Sequence, residues 1–267
     1  MTPRIAIVQF PGVNCESETA RALGRVGLEA EVFRWTRPAT ELRDFQGYVL
    51  PGGFSYQDRV RAGALASKDP LMEVLAEAAE RGKPVLGICN GAQVLVESGL
   101  VPSGAKVEMA LARNRMSGRS GYFTRWVTVR IEEGPCVFTR HLAPGTLLPM
   151  PVAHGEGRFI AGAGRMEALA RSGQIPARYA REDGSPADSF PDLPNGAEMA
   201  AAGVANEHGN VLALMPHPER AQDLAGLARG IGGEWAQRRD EARQRGEEGA
   251  GPGLEIFRGL ARHLEDS

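Results

Sequence analysis

Residues 83–91, Lys-Pro-Val-Leu-Gly-Ile-Cys-Asn-Gly, constrain the fold of this chain more than any other segment. The apolar run at 85–88 predicts a buried strand, and residues 92–97 predict a helix directly after it. The Gly-x-Cys-x-Gly sequence between them is typical of a sharp strand-to-helix turn that exposes a nucleophile and flanks it with small residues. This turn also puts the sulfur of Cys89 at a helix N-terminus, where the backbone dipole favours the thiolate.

Short apolar runs alternate with amphipathic helical segments throughout the first half of the chain. Strands are predicted at 5–10, 31–35, 48–50 and 85–88, and helices at 17–26 and 71–81. Such alternation implies parallel strands with helices on both faces. We therefore predict a three-layer α/β fold built on a flavodoxin-like, mostly parallel sheet.

The second half of the chain has a different pattern. Residues 126–131 alternate, and the apolar runs 202–205 and 211–215 flank the turn Asn-Glu-His-Gly-Asn, which is a hairpin signal. We expect an antiparallel extension of the same sheet, so that a single domain covers residues 1–267. The charged residues 232–253 predict a surface insertion before a last helix at 254–264, serving as a solvated arm or as a partner contact, with the arm favoured.

Composition narrows the class of protein. The chain has 267 residues, 42% of them hydrophobic and 24% charged, with a net charge of −2, which suggests neither a nucleic acid nor a membrane as partner. Its three cysteines are far apart and lack CxxC spacing, so neither a disulfide framework nor a zinc site is expected. The N-terminal residues enter a strand at once without a signal peptide, and we expect a cytoplasmic protein with no metal site.

A histidine and an acid follow another predicted strand, in the sequence Met-Pro-His-Pro-Glu-Arg at 215–220. The two prolines restrict the backbone and hold His217 and Glu219 at the carboxyl end of the strand, where open α/β sheets place their active sites. His217 could move protons while Glu219 orients its ring. The alternative is a solvated histidine beside a surface acid, but with Cys89 upstream a catalytic triad is favoured.

The Pro-Gly-Gly sequence at 51–53 ends the strand before the one that leads to Cys89. Bare backbone amides there could point at a developing oxyanion without interference from a Cβ atom. An ordinary turn is the alternative, because Pro-Gly-Gly alone is weak evidence.

Together these motifs resemble the class I (triad) glutamine amidotransferases. Within that superfamily the match narrows to the glutaminase subunits of phosphoribosylformylglycinamidine synthase. The segments that carry this resemblance are 11–15, 51–56, 87–91, 151–157 and 215–220.

The resemblance implies an enzyme that hydrolyses glutamine to glutamate and ammonia for de novo purine synthesis. Ammonia would pass to a separate ATP-dependent synthetase subunit, bridged by a small third subunit, with ATP and Mg held by that partner and no cofactor in this chain. Cys89, His217 and Glu219 would be catalytic. The oxyanion hole and glutamine site would draw on Gly52, Gly53, Phe54, Asn90 and Gln93.

Further residues carry weaker expectations. His154 and Glu156 are expected at the same crevice or at the synthetase interface, and Asn114 is expected to touch glutamine or the partner. Cys15 and Cys136 are interpreted as packing residues, and His141 and His208 as solvated. Gln57 stands where the family usually has glycine, so a positive φ there would strain or reshape the loop.

Two other functions remain open. A triad amidotransferase could serve another synthetase or hydrolyse γ-glutamyl bonds outright, which a product assay with each synthetase would distinguish. The chain could also be a non-catalytic regulatory scaffold, although its intact Cys/His/Glu set counts against that. Failure of a glutamine analogue to label Cys89 would support the scaffold.

Overall fold

The computed structural model describes residues 2–103 and 106–266. Within them, five parallel strands form one half of a large sheet, in the order β2-β1-β3-β4-β11. The strands of this half are β1 (Arg4–Gln9), β2 (Glu29–Arg34), β3 (Gly47–Leu50), β4 (Val85–Ile88) and β11 (Val211–Leu214). All residues of β3, β4 and β11 are buried, which is expected where helices cover both faces of a parallel sheet.

The other half of the sheet is antiparallel and continues in the order β11-β10-β9-β6-β7. Its strands are β6 (Phe123–Ile131), β7 (Leu147–His154), β9 (Ala177–Ala180) and β10 (Ala201–Ala205). The predicted hairpin is present, since β10 and β11 pair around the turn at 206–210. A separate two-stranded sheet joins β5 (Met109–Arg113) to β8 (Glu156–Ala161). The predicted α/β class and its antiparallel extension are therefore confirmed.

Helices α1 (Glu16–Arg25) and α2 (Leu71–Glu80) connect parallel strands, α3 (Asn90–Ser98) leads from β4 to β5, and α4 (Arg165–Arg171) lies between β8 and β9. Helix α3 packs on β3, β4 and β11, the three strands whose carboxyl ends carry the predicted site residues. The last helix, α6 (Leu254–Glu265), contacts α1 and the short 3-10 turn Pro218–Arg220. The C-terminal helix thus packs behind the predicted catalytic segment.

The charged segment 232–253 contains helix α5 (Gly233–Arg245). Most of its residues are exposed, but hydrogen bonds attach it to the rest of the chain. The indole N–H of Trp235 donates to the carbonyl of Leu147 in the edge strand β7 at 2.9 Å. Arg25 Nη2 donates to the carbonyl of Gly249 at 2.9 Å. These hydrogen bonds anchor the two ends of a segment that otherwise largely faces solvent.

Among the described residues, no helix is both long enough and apolar enough to cross a membrane.

Candidate active site

Cys89 occupies a strained backbone position between β4 and α3. Its φ of 49° and ψ of −101° lie outside the regions that a non-glycine residue usually adopts. Tight packing holds the turn in place, since a Cβ on Gly91 would come within 1.9 Å of the Leu50 carbonyl oxygen. The side chain of Cys89 is 5% exposed, and its sulfur lies 3.5 Å from the carbonyl oxygen of Ala153. Backbone strain at a buried nucleophile is typical of an active site.

His217 and Glu219 form a buried pair at the carboxyl end of β11. Nδ1 of His217 lies 2.5 Å from Oε1 of Glu219, and the two residues are 2% and 0% exposed. The backbone N–H of His217 donates to the carbonyl of Pro151 at 2.8 Å, which anchors the turn to β7. Because Glu219 engages Nδ1, the other ring nitrogen is left for proton transfer.

The charges around His217 favour its protonated form. Burial alone would lower the pKa of His217, but the charges of Glu219 and Cys89 outweigh it and raise that pKa well above its ordinary value. The thiols of Cys15 and Cys89 raise the same pKa further by hydrogen bonding. An imidazolium beside a cysteine is the arrangement that activates a thiol nucleophile.

The backbone N–H of Gly53 points away from the neighbouring loop that carries Val13. Val13 and Gly53 form a bridge whose hydrogen bonds come from the neighbouring residues, with Asn14 donating to Gly52 at 3.1 Å and Phe54 donating to Gly12 at 2.9 Å. In such a non-hydrogen-bonded pair the N–H of the central residue points outward. Gly53 also lines the cavity that holds Cys89, which suits an oxyanion donor.

The second oxyanion donor predicted from the sequence is the amide of Asn90. Asn90 is the first residue of α3, and the first N–H groups of a helix have no partner within it. The side chain of Asn90 forms structural hydrogen bonds: Oδ1 accepts from the Ser55 N–H at 2.9 Å, and Nδ2 donates to Oε1 of Gln93 at 2.9 Å. Asn90 therefore ties the elbow to the loop that follows Gly53.

Gly52 and Phe54 have different surroundings from Gly53. Gly52 lies against the ring of His217 and the sulfur of Cys15, since a Cβ there would be 2.7 Å from Cε1 of His217 and 3.2 Å from Sγ of Cys15. Phe54 is 44% exposed at the cavity mouth, where its ring packs 6.2 Å from that of Tyr122. Gly52 thus makes room for the histidine, and Phe54 shapes the entrance.

The cavity beside Cys89 has a volume of about 310 Å³. Its lining includes two acidic and two basic side chains, from Asp58, Glu156, Arg61 and Arg113. Burial first, and then the charge of Glu156, raise the pKa of Asp58 to about 6. A cavity with both signs of charge matches a zwitterionic amino acid.

A larger cavity of about 710 Å³ lies between β7 and the start of α5. Its lining contains neither Cys89 nor His217. Size alone would select that cavity, but the strained thiol of Cys89 lines the smaller one and selects it.

His154 and Glu156 both line the smaller cavity, together with Gln93, whose Nε2 donates to the Glu156 carbonyl at 2.6 Å. Asn114 orients His154: its Oδ1 lies 3.1 Å from Nδ1 of the ring, and it also accepts from the Gly157 N–H at 3.1 Å. The side-chain oxygen of Asn114 can only accept hydrogen bonds, so Nδ1 of His154 must carry the proton and donate it. Burial, and then the charge of His217, lower the pKa of His154 to about 3, so the ring is neutral.

Cys15 is fully buried, as expected for a packing residue, but it also makes polar contacts. Its sulfur accepts from Nη2 of Arg220 at 3.0 Å, and it lies within 4.8 Å of ligand atoms of His217 and Glu219. A cysteine, a histidine and a carboxylate can bind a metal, but here Nδ1 and Oε1 already bond to each other, and we assign no metal to them. Nothing in the local sequence around Cys15 signals this proximity, since it depends on how two distant loops pack.

Other expectations have mixed outcomes. His208 is exposed in its hairpin turn, as expected. The interpretation of His141 as solvated is wrong: its side chain is 9% exposed and its Nε2 lies 3.5 Å from Oε2 of Glu255. Gln57 has a φ of 60°, so it does occupy the left-handed region that favours glycine.

A thiol on a strained turn beside a buried histidine–glutamate pair is the arrangement expected of a triad enzyme of acyl transfer. The chain also matches the family of CobB/CobQ-like glutamine amidotransferase domains over residues 2–263. It is 45% identical to the phosphoribosylformylglycinamidine synthase subunit PurQ of Methanothrix thermoacetophila, with 98% of each chain covered. Identity to the same subunit from Thermus thermophilus is 44%, over 82% of this chain and 90% of that one.

Solved structures agree with these relatives. The structure of PurLQS from Thermotoga maritima matches with a TM-score of 0.73 and 32% identity, covering 99% of this chain and 100% of that one. A glutamine amidotransferase from the same organism, with a TM-score of 0.53 and 15% identity, supports the fold alone. The chain therefore belongs to the glutamine amidotransferase family, and within it to the PurQ subunits of phosphoribosylformylglycinamidine synthase.

Proposed function

We propose that this chain hydrolyses glutamine and delivers the ammonia to an ATP-dependent synthetase subunit in purine biosynthesis. The observation that carries the proposal is the 2.5 Å bond between buried His217 and Glu219, beside a thiol held on a strained turn. Family membership supports the same role, since relatives bear the name of this synthase and one solved relative is a PurLQS assembly.

The reaction would proceed through a cysteinyl thioester. The thiolate of Cys89 attacks the carboxamide carbon of glutamine, and the N–H groups of Gly53 and Asn90 donate hydrogen bonds to the oxyanion that forms. The imidazolium of His217 then gives its proton to the leaving nitrogen, so that ammonia departs and the thioester remains. His217 next takes a proton from water, which attacks the thioester and releases glutamate and the thiol. The sum is glutamine and water going to glutamate and ammonia.

The cavity favours glutamine over an uncharged amide. Asp58 and Glu156 offer carboxylates to an ammonium group. Arg113, an exposed side chain whose Nε lies 3.8 Å from Glu156, offers a guanidinium group to a carboxylate, whereas the guanidinium of Arg61 already pairs with Glu97. A free amino acid carries both groups at neutral pH. We keep ATP and Mg on the partner synthetase, because the chain has no Gly-x-x-x-x-Gly-Lys-Ser/Thr sequence.

The test measures glutamate released from glutamine by the wild type, by Cys89→Ala and by Cys136→Ala as the matched control. Cys136 is equally buried but lies outside the lining of the active-site cavity. Each protein is assayed alone and with the synthetase subunits, formylglycinamide ribonucleotide and ATP. We expect release that rises with the synthetase, persists in Cys136→Ala and is lost in Cys89→Ala. Wild-type and Cys89→Ala proteins that are equally inactive in every mixture would contradict the proposal and leave the scaffold function.

A further inference from the structure

A second thiol lies against the catalytic histidine. Cys15 is fully buried at the residue before α1, and its sulfur makes no capping hydrogen bond to that helix. Instead Sγ accepts from Nη2 of Arg220 at 3.0 Å and lies 3.3 Å from Oδ1 of Asn14. The sulfur of Cys15 therefore faces the turn that carries His217 and Glu219.

Arg220 contacts both Cys15 and the triad carboxylate. Its Nε lies 3.8 Å from Oε1 of Glu219, the same oxygen that bonds to His217. Burial lowers the pKa of Arg220, whereas contacts with Cys15 and the charge of Glu219 raise it, and the net direction is upward. The guanidinium therefore bridges a buried carboxylate and the Cys15 sulfur behind the imidazole.

Three distant segments create this arrangement. The loop 11–15 is bound to the loop 51–53 through the Asn14 amide, which donates to the Gly52 carbonyl at 3.1 Å. The missing side chain of Gly52 lets Cys15 and His217 approach the same spot from two sides. A longer residue at position 52 would separate them.

We propose that Cys15 is a positioning residue, which together with Arg220 holds the His217–Glu219 pair in its catalytic orientation. Cys15 acts through His217 and does not contact the substrate. This inference rests on the proposed glutaminase function. It goes beyond that function because it assigns a working role to a residue outside the triad and the oxyanion hole.

Cys136 shows what a packing thiol looks like in this chain. It is also fully buried, but it lies at a turn before Phe138, and burial raises its pKa to about 11. No described residue of the triad contacts it by hydrogen bond or ion pair. Cys136→Ala therefore controls for the loss of a buried sulfur alone.

Removing Cys15 should lower the pKa of His217, because the Cys15 contact raises it. The other groups that act on or lie near this ring come from the elbow, its own turn, the residue before β6, and the end of β7. They are Cys89, Glu219, Arg220, Tyr122 and His154. A substitution at position 15 leaves the identity of all these groups unchanged, so a shift reports the loss of the Cys15 contact, directly or through Arg220.

The experiment compares Cys15→Ala, Cys15→Ser and Cys136→Ala in the assembled complex, measuring kcat, the KM for glutamine and the pH profile of kcat/KM. For Cys15→Ala we expect kcat to fall about ten- to a hundredfold with KM within about twofold of wild type, as for a small displacement of a catalytic group. The alkaline limb of the profile should move to lower pH. Cys15→Ser keeps a polar atom beside Arg220 and should recover part of both effects.

Circular dichroism melting confirms that each variant is folded before its kinetics are compared. A Cys15→Ala enzyme with wild-type kcat and profile would overturn the positioning role. So would a fall in kcat without movement of the alkaline limb, since that is the signature of lost packing. A wild type that releases no glutamate would instead overturn the proposed function, so the two failures are distinguishable.

A double-mutant cycle with Arg220→Lys tests whether the two residues act as a unit. Lysine keeps the charge but not the planar fork that reaches both Cys15 and Glu219. We expect the double variant to lose less activity than the product of the two single losses. Independent effects would overturn the pairing.

Discussion

Gly52 lies directly against the imidazole of His217: a Cβ at position 52 would be 2.7 Å from Cε1 of the ring. Real Cβ contacts essentially never come this close, so Gly52→Ala must displace the histidine. We expect kcat to fall about a hundredfold and the free energy of unfolding to drop by about 1–3 kcal/mol. Glutamate release and thermal melting measure the two effects.

Gly24→Ala is the matched control for that substitution, because a Cβ at Gly24 in α1 meets nothing within 4 Å. We expect full activity and a gain of about 1 kcal/mol from helix propensity. A Gly52→Ala enzyme as active as Gly24→Ala would show that the histidine tolerates the methyl group.

Glu219→Gln tests the charge behind His217. Burial lowers the pKa of His217, and Glu219 is the first of the groups that raise it, so losing the carboxylate should lower that pKa. The imidazolium would then lose its proton at lower pH, and the alkaline limb of kcat/KM should move down. We expect kcat to fall about a hundredfold.

The control for Glu219→Gln is Glu255→Gln, which alters another histidine–glutamate pair, His141 with Glu255 at 3.5 Å, away from the cavity. It should leave the pH profile of kcat/KM unchanged. Equal shifts in both variants would indicate a general effect of losing a buried acid.

Asp58→Asn should stabilise the protein at neutral pH. The folded-state pKa of Asp58 is about 6 against an ordinary value of 3.8, so the folded chain binds the proton more tightly. The free energy of unfolding therefore falls as pH rises through this window, and the penalty is complete above about pH 6. We expect Asp58→Asn to raise the melting temperature at pH 7.5, with a gain that shrinks as pH approaches 4. Asp240→Asn, at an exposed site on α5, should show no such trend.

Gln57→Gly should relieve backbone strain. Gln57 is exposed at a φ of 60°, a conformation that costs a side-chain-bearing residue about 1–2 kcal/mol. Glycine loses about 0.5–1 kcal/mol of chain entropy on folding, so the net gain should be about 0.5–1 kcal/mol. Thermal melting should show a rise of about 1–3 °C. Arg59→Gly, two residues on at a φ of −58°, has no strain to relieve and should lower the melting temperature.

Several parts of the site could be predicted because local sequence encodes them. The apolar run and glycines around Cys89 specify a strand, a tight turn and a helix, whatever surrounds them. The prolines around His217 likewise restrict the backbone, and Nδ1 of His217 lies 2.5 Å from Oε1 of Glu219, two residues further along the chain. Both motifs follow adjacent parallel strands, so the sheet order brings the thiol and the histidine together.

Contacts between segments that are distant in the chain leave no pattern in the local sequence from which they could be predicted. The sequence does not show that Cys15 contacts Arg220, or that Asn114 lies against the ring of His154. It does not show either that Trp235 in the charged segment 232–253 binds the edge of β7.

The sequence by itself determined the strand and helix order of the first half and the hairpin, and it predicted Cys89, His217 and Glu219 as site residues, because each depends on residues close together in the chain. The tertiary structure alone decided that Cys15 and Arg220 stand behind His217, and that His154 is neutral. Such contacts and pKa values are set by burial and by the meeting of loops from separate strands, which no local pattern specifies.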